Sequence, residues 1–212
     1  METRYPSSRQ GIFLIMRETI AVFDFDGTLT RSDTFLMFII FQFGFSACMK
    51  GLCSNLGILI RYAFRKVSNH EAKQAIFSYF FKGMKISDFN AACRRFALSK
   101  IPGQIKRKAF DKCEWHLHKG HHIVIVSASI RNGIEPWAKQ YGFKTVIGTE
   151  VELDNEMLTG KFMGENCYGS EKVIRFLSHF PERNNYYLYA YGNSRGDREM
   201  MKLADFPYYR YF

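Results

Sequence analysis

A chain of 212 residues that is 47% hydrophobic and 17% aromatic can bury a substantial core, which argues against a disordered chain and fits one domain or a core with an insert. Its net charge of +10 is placed unevenly: residues 31–118 hold 15 Lys and Arg against 5 Asp and Glu, while the other 15 bases and 15 acids balance. Five cysteines, an odd number with no CxxC pair, argue against a zinc site or a disulfide framework and for the reduced thiols of a cytoplasm.

Residues 1–16 carry only a short apolar core at Ile12–Ile15, too short for a membrane span and poor as a signal peptide. Met16 lies just before the first strand and is an alternative start, so 1–16 is read as an extension without a role.

The next stretch, IAVFDFDGTLT from Ile20 to Thr30, organises the rest. Ile20 to Phe23 read as a strand buried on both faces, and the two-residue period of a strand sends Asp24 and Asp26 to the same side. Two carboxylates held together at the end of a buried strand are costly unless a cation neutralises them, and hard oxygen donors of this kind suit Mg²⁺. DFDGT resembles the DxDGT signature that opens the haloacid-dehalogenase-like (HAD) hydrolases. The resemblance implies that Asp24 is a nucleophile forming an aspartyl-phosphate and that Asp26 is its acid and base, with the Asp26 main-chain carbonyl on the metal.

Beyond Asp33 comes FLMFIIFQFGFSACM, Phe35 to Met49, an apolar run broken by Lys50 and resumed from Gly51 to Ile60. Neither piece reaches the roughly 18–20 residues of a spanning helix, which leaves a buried helical pair or an interfacial, re-entrant hairpin. Helical spacing recurs at Glu71–Lys82, at Asp88–Leu98 with Ser87 or Asp88 as cap, and at Ile105–Lys119.

A second strand at Ile123–Val126 ends in Ser127-Ala128-Ser129, and VIVSAS resembles the second HAD motif of the phosphoserine-phosphatase-like branch. That likeness implies a phosphoryl contact from Ser127, with Ala128 and Ser129 beside the substrate. The spacing then predicts a helix over 132–142 broken at its start by Pro136, a strand at Val146–Ile147, and a hairpin over Glu150–Phe162. That hairpin turns at Asp154-Asn155 and closes at Gly160-Lys161, with Lys161 solvated. Lys172, in the first turn of a helix after Gly169, matches the third motif, where a fixed cation touches both nucleophile and substrate. YYLYAY (Tyr186–Tyr191) reads as the last strand, and the GNSRGD that follows matches the fourth motif, with Asn193 in place of the usual first acid. Asn193 still offers a carbonyl oxygen to the metal with one charge fewer, and Asp197 binds it or orients its waters.

The fold class expected is α/β, a Rossmann-like parallel sheet (17–32 and 119–212) with an all-helical cap inserted at 33–118 between the first and second motifs. The activity implied is a Mg²⁺-dependent phosphomonoester hydrolase acting on a phosphorylated small molecule or a phospholipid phosphate. Asp33 stands near the place where phosphoserine phosphatases use a Glu, which favours an amino-bearing substrate. The oily run and the basic cap resemble instead lipid-directed members of the branch, the phosphatidylglycerophosphate phosphatases, and imply peripheral membrane contact at the inner face. The rivals are a phosphoserine phosphatase and a catalytically silent, membrane-associated binding protein; nucleic acid is not an expected partner.

Overall fold

The computed structural model describes residues 17–212; the extension 1–16 and the alternative start at Met16 lie outside the described residues. Five strands form one sheet: β1 (Glu18–Phe23), β2 (His122–Ile130), β3 (Thr145–Thr149), β6 (Tyr186–Gly192) and β7 (Phe206–Tyr209). Their order is β3-β2-β1-β6-β7, every neighbouring pair parallel. The fold class expected from the sequence is the one observed, a Rossmann-like α/β sheet with helices around it. The chain runs outward from β1 to β3 and returns to pair β6 against the other side of β1. The order therefore reverses between β1 and β6, and in open α/β sheets ligands bind outside the carboxyl ends of strands at such a point.

The strands alternate as period-2 geometry requires. Ala21 and Phe23 of β1 face one apolar cluster, shared with Ile123, Ile125 and Tyr191. Ile20 and Val22 face the other, shared with Phe176 of α8 (Ser170–His179) and Met200 of α9 (Arg198–Leu203). Between the first and second strands lie α1 (Thr34–Phe43), α2 (Phe45–Ser54), α3 (Leu56–Ala63), α4 (Asn69–Phe81), α5 (Ile86–Ser99) and α6 (Arg107–His118). Asp33 caps α1 by accepting from the Leu36 N–H at 3.0 Å, and Ser68 with Glu71 forms a capping box on α4. The cluster on the first face runs without a gap into these helices: Phe38 of α1 stacks on Phe81 of α4 and meets Phe89 and Phe96 of α5. α6 lies directly on the sheet, where His116 meets the ring of Phe23 and the hydroxyl of Tyr191.

Several local expectations are corrected. The apolar run breaks at Gly44, whose φ of 86° only glycine adopts freely, and Lys50 lies within α2. α5 starts at Ile86 after Lys85, so Asp88 is in its first turn and is not its cap. Pro136 sits inside α7 (Arg131–Gln140) without breaking it, because the flanking Ile134, Trp137 and Ala138 are buried and hold the turn that loses one N–H. β4 (Val151–Asp154) and β5 (Met157–Phe162) form the hairpin, but the turn residues at positive φ are Asn155 and Glu156. Gly160 lies within β5, pressed on α4 so closely that a Cβ would sit 2.6 Å from the Ser78 hydroxyl; Lys161 is exposed as expected. The edge strand β7 was not foreseen, since Pro207 argues against a strand except at an edge.

His116 is fully buried, its Nε2 3.0 Å from the Tyr191 hydroxyl and its Nδ1 2.8 Å from His121 Nδ1. Burial, then His121 and Lys112, pushes its pKa down from 6.5 to about 3. The folded state thus resists a proton that the unfolded chain accepts below its ordinary pKa. The stabilisation is complete above about 6.5 and is lost as pH falls toward 3. Urea unfolding is expected to show roughly 2 kcal/mol more loss of stability from pH 7 to pH 5 than in His116→Gln; parallel profiles for the two proteins would contradict this.

Candidate active site

The first strand ends at Phe23, but the Asp24 N–H still donates to the Tyr191 carbonyl of β6 at 2.9 Å, so the nucleophile candidate is fixed at the reversal point of the sheet. The chain then turns at Gly27, whose φ is 75°. Asp24 and Asp26, which precede that turn and both have extended backbone angles, line one cavity of about 330 Å³. Asp24 Oδ2 accepts from the Thr28 hydroxyl at 3.0 Å, and Asp24 Oδ1 accepts from Lys172 Nζ at 2.6 Å. The same ammonium donates to Asp197 Oδ1 at 2.6 Å. A buried cation is thus shared between two buried carboxylates, from α8 and from the two strand ends that meet there.

Asp26 is held separately. Its Oδ1 accepts from the Thr34 N–H at 2.9 Å and the Thr34 hydroxyl at 2.7 Å, and its Oδ2 accepts from the Ser129 hydroxyl at 2.5 Å. Ser129, expected beside the substrate, therefore has its hydroxyl committed to Asp26. Ser127 lines the cavity, and its Oγ accepts from the Ser129 N–H at 3.0 Å, which leaves the Ser127 hydroxyl proton free to donate. The ladder between β2 and β3 shifts register between Val126 and Ile130, so backbone groups at 127–129 turn to side chains instead: the Ala128 carbonyl accepts from the Thr149 hydroxyl and from Lys73 Nζ, each at 2.7 Å. Ala128 and Asp33 also line the cavity.

Asn193 and Asp197 stand behind the cavity, which takes only Ser194 from the loop after β6 as lining. Asp197 Oδ2 accepts from the N–H groups of Asn193 and Ser194 and from the Ser194 hydroxyl. Both its oxygens are thus engaged, which suits an orienting role more than direct ligation. Asn193 differs: its Oδ1 is buried without a hydrogen-bond partner, and its amide sits so near Gly27 that a Cβ there would lie 2.2 Å from Nδ2. A buried acceptor left open against the Gly27 turn of the DFDGT loop fits a hard divalent cation. Among the described residues no three His, Cys, Asp or Glu gather as a metal cluster; the donors available are Asp24, the Asp26 main-chain oxygen and the Asn193 amide.

Burial pushes Asp24 up to about 6, with Asp197 and Asp26 adding to the rise and Lys172 opposing it. Asp26 is raised by burial and then by Asp33, against the bonds from Ser129 and Thr34, which suits a group that delivers a proton. Burial draws Lys172 down, yet Asp24 and Asp197 outweigh it and hold the ammonium charged. Asp197 is pushed up by burial and brought below the ordinary carboxylate range by Lys172 and Ser194.

Lys73 and Thr34 are functional residues that sequence reasoning missed. Lys73 reaches from α4 into the cavity, 4.9 Å from the Phe35 ring centroid, and burial lowers its pKa despite Asp33 and Asp26. The available signal was a lysine beside Ala72 and one turn from Ile76, both buried on α4. Lys106 Nζ donates to the Gly27 carbonyl at 2.5 Å and braces the turn.

A parallel sheet with a carboxylate pair, a lysine and a hydroxyl gathered at its reversal point defines a HAD-like α/β hydrolase. The family model for haloacid dehalogenase-like hydrolases matches residues 21–202, and the chain belongs to that family. It is 33% identical over 195 residues to protein CicA of Caulobacter vibrioides, covering 91% of this chain and 86% of that one. Its fold is similar to a Bordetella pertussis Tohama I protein described as of unknown function, with a TM-score of 0.75 and 19% identity over 90% of this chain and 89% of the other. It is also similar in fold to a phosphoserine phosphatase solved as a phospho-aspartyl intermediate analogue, with a TM-score of 0.58 and 16% identity over 90% and 85%.

Removing Lys172 leaves Asp24 and Asp197 buried without their shared cation. Lys172→Met is expected to lose about 3–5 kcal/mol of unfolding free energy at neutral pH, with part of the loss recovered on mild acidification as Asp24 takes a proton. Unchanged urea midpoints across that range would show that the triad does not hold the site.

Proposed function

We propose that the protein is a Mg²⁺-dependent phosphomonoester hydrolase working through an aspartyl-phosphate on Asp24. The observation that carries this reading is the meeting of Asp24, Asp26, Ser127 and Lys172 in one cavity. An Asp24 carboxylate oxygen attacks phosphorus while the P–O bond to the alcohol breaks, and Asp26 gives its proton to the departing oxygen. Asp26, now a carboxylate, takes a proton from water as that water attacks the aspartyl-phosphate, which releases phosphate and restores Asp24. Ser127 and Lys172 hold the phosphoryl oxygens through both steps. Asp24, the Asp26 main-chain oxygen and Asn193 would hold Mg²⁺, which when bound would supply positive charge against the crowded carboxylate and phosphoryl oxygens. Asp197 keeps Lys172 in place. The helices that follow Asp33, α1 to α5, form the cap that walls the cavity and selects the alcohol.

The cavity walls favour an alcohol with an apolar part. Phe35, Leu36, Leu59, Tyr62 and Ile76 line it, with Asp33 and Lys73 as the charged groups outside the catalytic set. That lining supports a lipid-type or other apolar phosphomonoester over phosphoserine. Asp33 supports the phosphoserine alternative, since an acidic residue lines the cavity and its Oδ2 is not used by the cap on Leu36; the fold likeness to a phosphoserine phosphatase leans the same way.

Turnover of p-nitrophenyl phosphate, phosphoserine and a short-chain lysophosphatidic acid, with and without Mg²⁺, tests the reading. The expected outcome is hydrolysis that chelator abolishes, faster on the apolar ester than on phosphoserine, with kcat lowered about a thousandfold or more in Asp24→Asn. Equal activity in Asp24→Asn would overturn the mechanism, a preference for phosphoserine would overturn the substrate class, and no turnover of any ester would favour a binding protein.

A further inference from the structure

We infer that the exposed face of α2 and α3 docks on the surface of an anionic lipid bilayer. This goes beyond the catalytic reading and stands on different residues. The long apolar run divides in two. α1 belongs to the core, with Phe35, Phe38 and Ile39 buried, whereas α2 buries only Cys48 and Gly51, and α3 buries nothing. α2 is held where Gly51 passes the Phe80 ring, so near that a Cβ would sit 2.2 Å from it. Large apolar side chains are left outward on this segment: Phe45 is 66% and Phe64 73% exposed, with Met49, Leu56 and Ile60 between them also exposed. Single exposed apolar residues are ordinary, but these five large ones from Phe45 to Phe64, along two consecutive helices that bury almost nothing, mark an interaction surface.

Charge identifies the partner. No acidic residue occurs between Asp33 and Glu71, and the four bases of that segment, Lys50, Arg61, Arg65 and Lys66, are all exposed. Large apolar side chains flanked by cations of one sign on short helices are the composition of an interfacial helix that sinks its apolar face to the level of the headgroups. No single helix among the described residues is long and apolar enough to cross a membrane; the α1–α2 pair passes on length and composition together but is bent by 117°. Phe35, Phe38 and Ile39 of α1 are packed in the core, which leaves α2 and α3 to make a shallow contact.

The docked face adjoins the catalytic cavity. Leu59 and Tyr62 of α3 and Leu36 of α1 belong to the cavity wall, so a phosphomonoester at the bilayer surface faces the site without first crossing open water.

Co-sedimentation of the full chain with phosphatidylcholine vesicles, and with vesicles of phosphatidylcholine mixed with phosphatidylglycerol, tests the docking. Binding is expected to the mixed vesicles and not to phosphatidylcholine alone, with release at about 1 M salt. The double variant Phe45→Ser with Phe64→Ser is expected to bind at least about tenfold more weakly, and Arg61→Gln with Arg65→Gln about tenfold more weakly. Both variants should turn over a soluble phosphomonoester as the parent does, and Asp24→Asn should bind vesicles as the parent does; a dead enzyme that still binds separates failure of the catalytic reading from failure of the docking. Absence of binding, equal binding to both vesicle types, or undiminished binding of the Phe45→Ser, Phe64→Ser protein would overturn the inference. Concentration-dependent dimerisation lost in that same variant, without vesicle binding, would assign the face to a second copy of the chain.

Discussion

The ammonium of Lys172 lies 2.6 Å from a carboxylate oxygen of Asp24 and 2.6 Å from one of Asp197, with all three groups buried. Charges out of water are tolerable only when they are paired and the remaining lone pairs satisfied. The surrounding structure does this: Thr28 donates to Asp24, and Ser194 with two backbone N–H groups donates to Asp197. Because the partners come from the end of β1, the start of α8 and the loop after β6, the triad ties together three segments that the sheet alone leaves adjacent but unaligned. A phosphoryl group entering that space finds a cation and a nucleophile already in place, so little reorganisation is needed at the moment of reaction.

The helices after Asp33 are joined to the sheet by packing as well as by chain. Phe25 and Trp137 beside the first strand, and Phe38, Phe81 and Phe89 in the helices, belong to one continuous apolar cluster. An interior packed to that extent does not deform gradually. Thr34, at the start of α1, is the polar counterpart of this link, since it holds the Asp26 carboxylate through its N–H and its hydroxyl. The orientation of the proton-handling acid is therefore set by the first turn of the helical segment. α3, which buries nothing, is the part of the insert least constrained by the core.

What could be read from the chain followed from how locally each feature is encoded. An apolar run into DFDGT, a serine after VIV, a lysine just past a glycine and GNSRGD after YYLYAY each carry their context within about ten residues, and the sheet that joins them has the expected parallel form. The long-range partnership of Lys172 with Asp24 was implied by the family resemblance, but others were not legible. Nothing near Ser129 indicates that its hydroxyl turns to Asp26, 103 positions away, and nothing near Lys73 indicates that α4 aims it at the Ala128 carbonyl. The apolar run at Phe35 was ambiguous for a related reason: composition alone does not separate a helix covered by Phe81 and Phe89 from one left bare, and only packing divides α1 from α2 and α3. Gly44 carried the break, while Lys50 was the more conspicuous residue in an oily stretch.

Convergence of these segments on Asp24 is tested most directly by trapping. The protein is incubated with p-nitrophenyl phosphate and Mg²⁺, quenched with acid and reduced with borohydride, which converts a phosphorylated aspartate to homoserine, and the tryptic peptide 18–31 is sequenced by mass spectrometry. Conversion at Asp24 with Asp26 unchanged is the predicted result. Conversion at Asp26 or on another peptide, or none while the ester is still being hydrolysed, would contradict it.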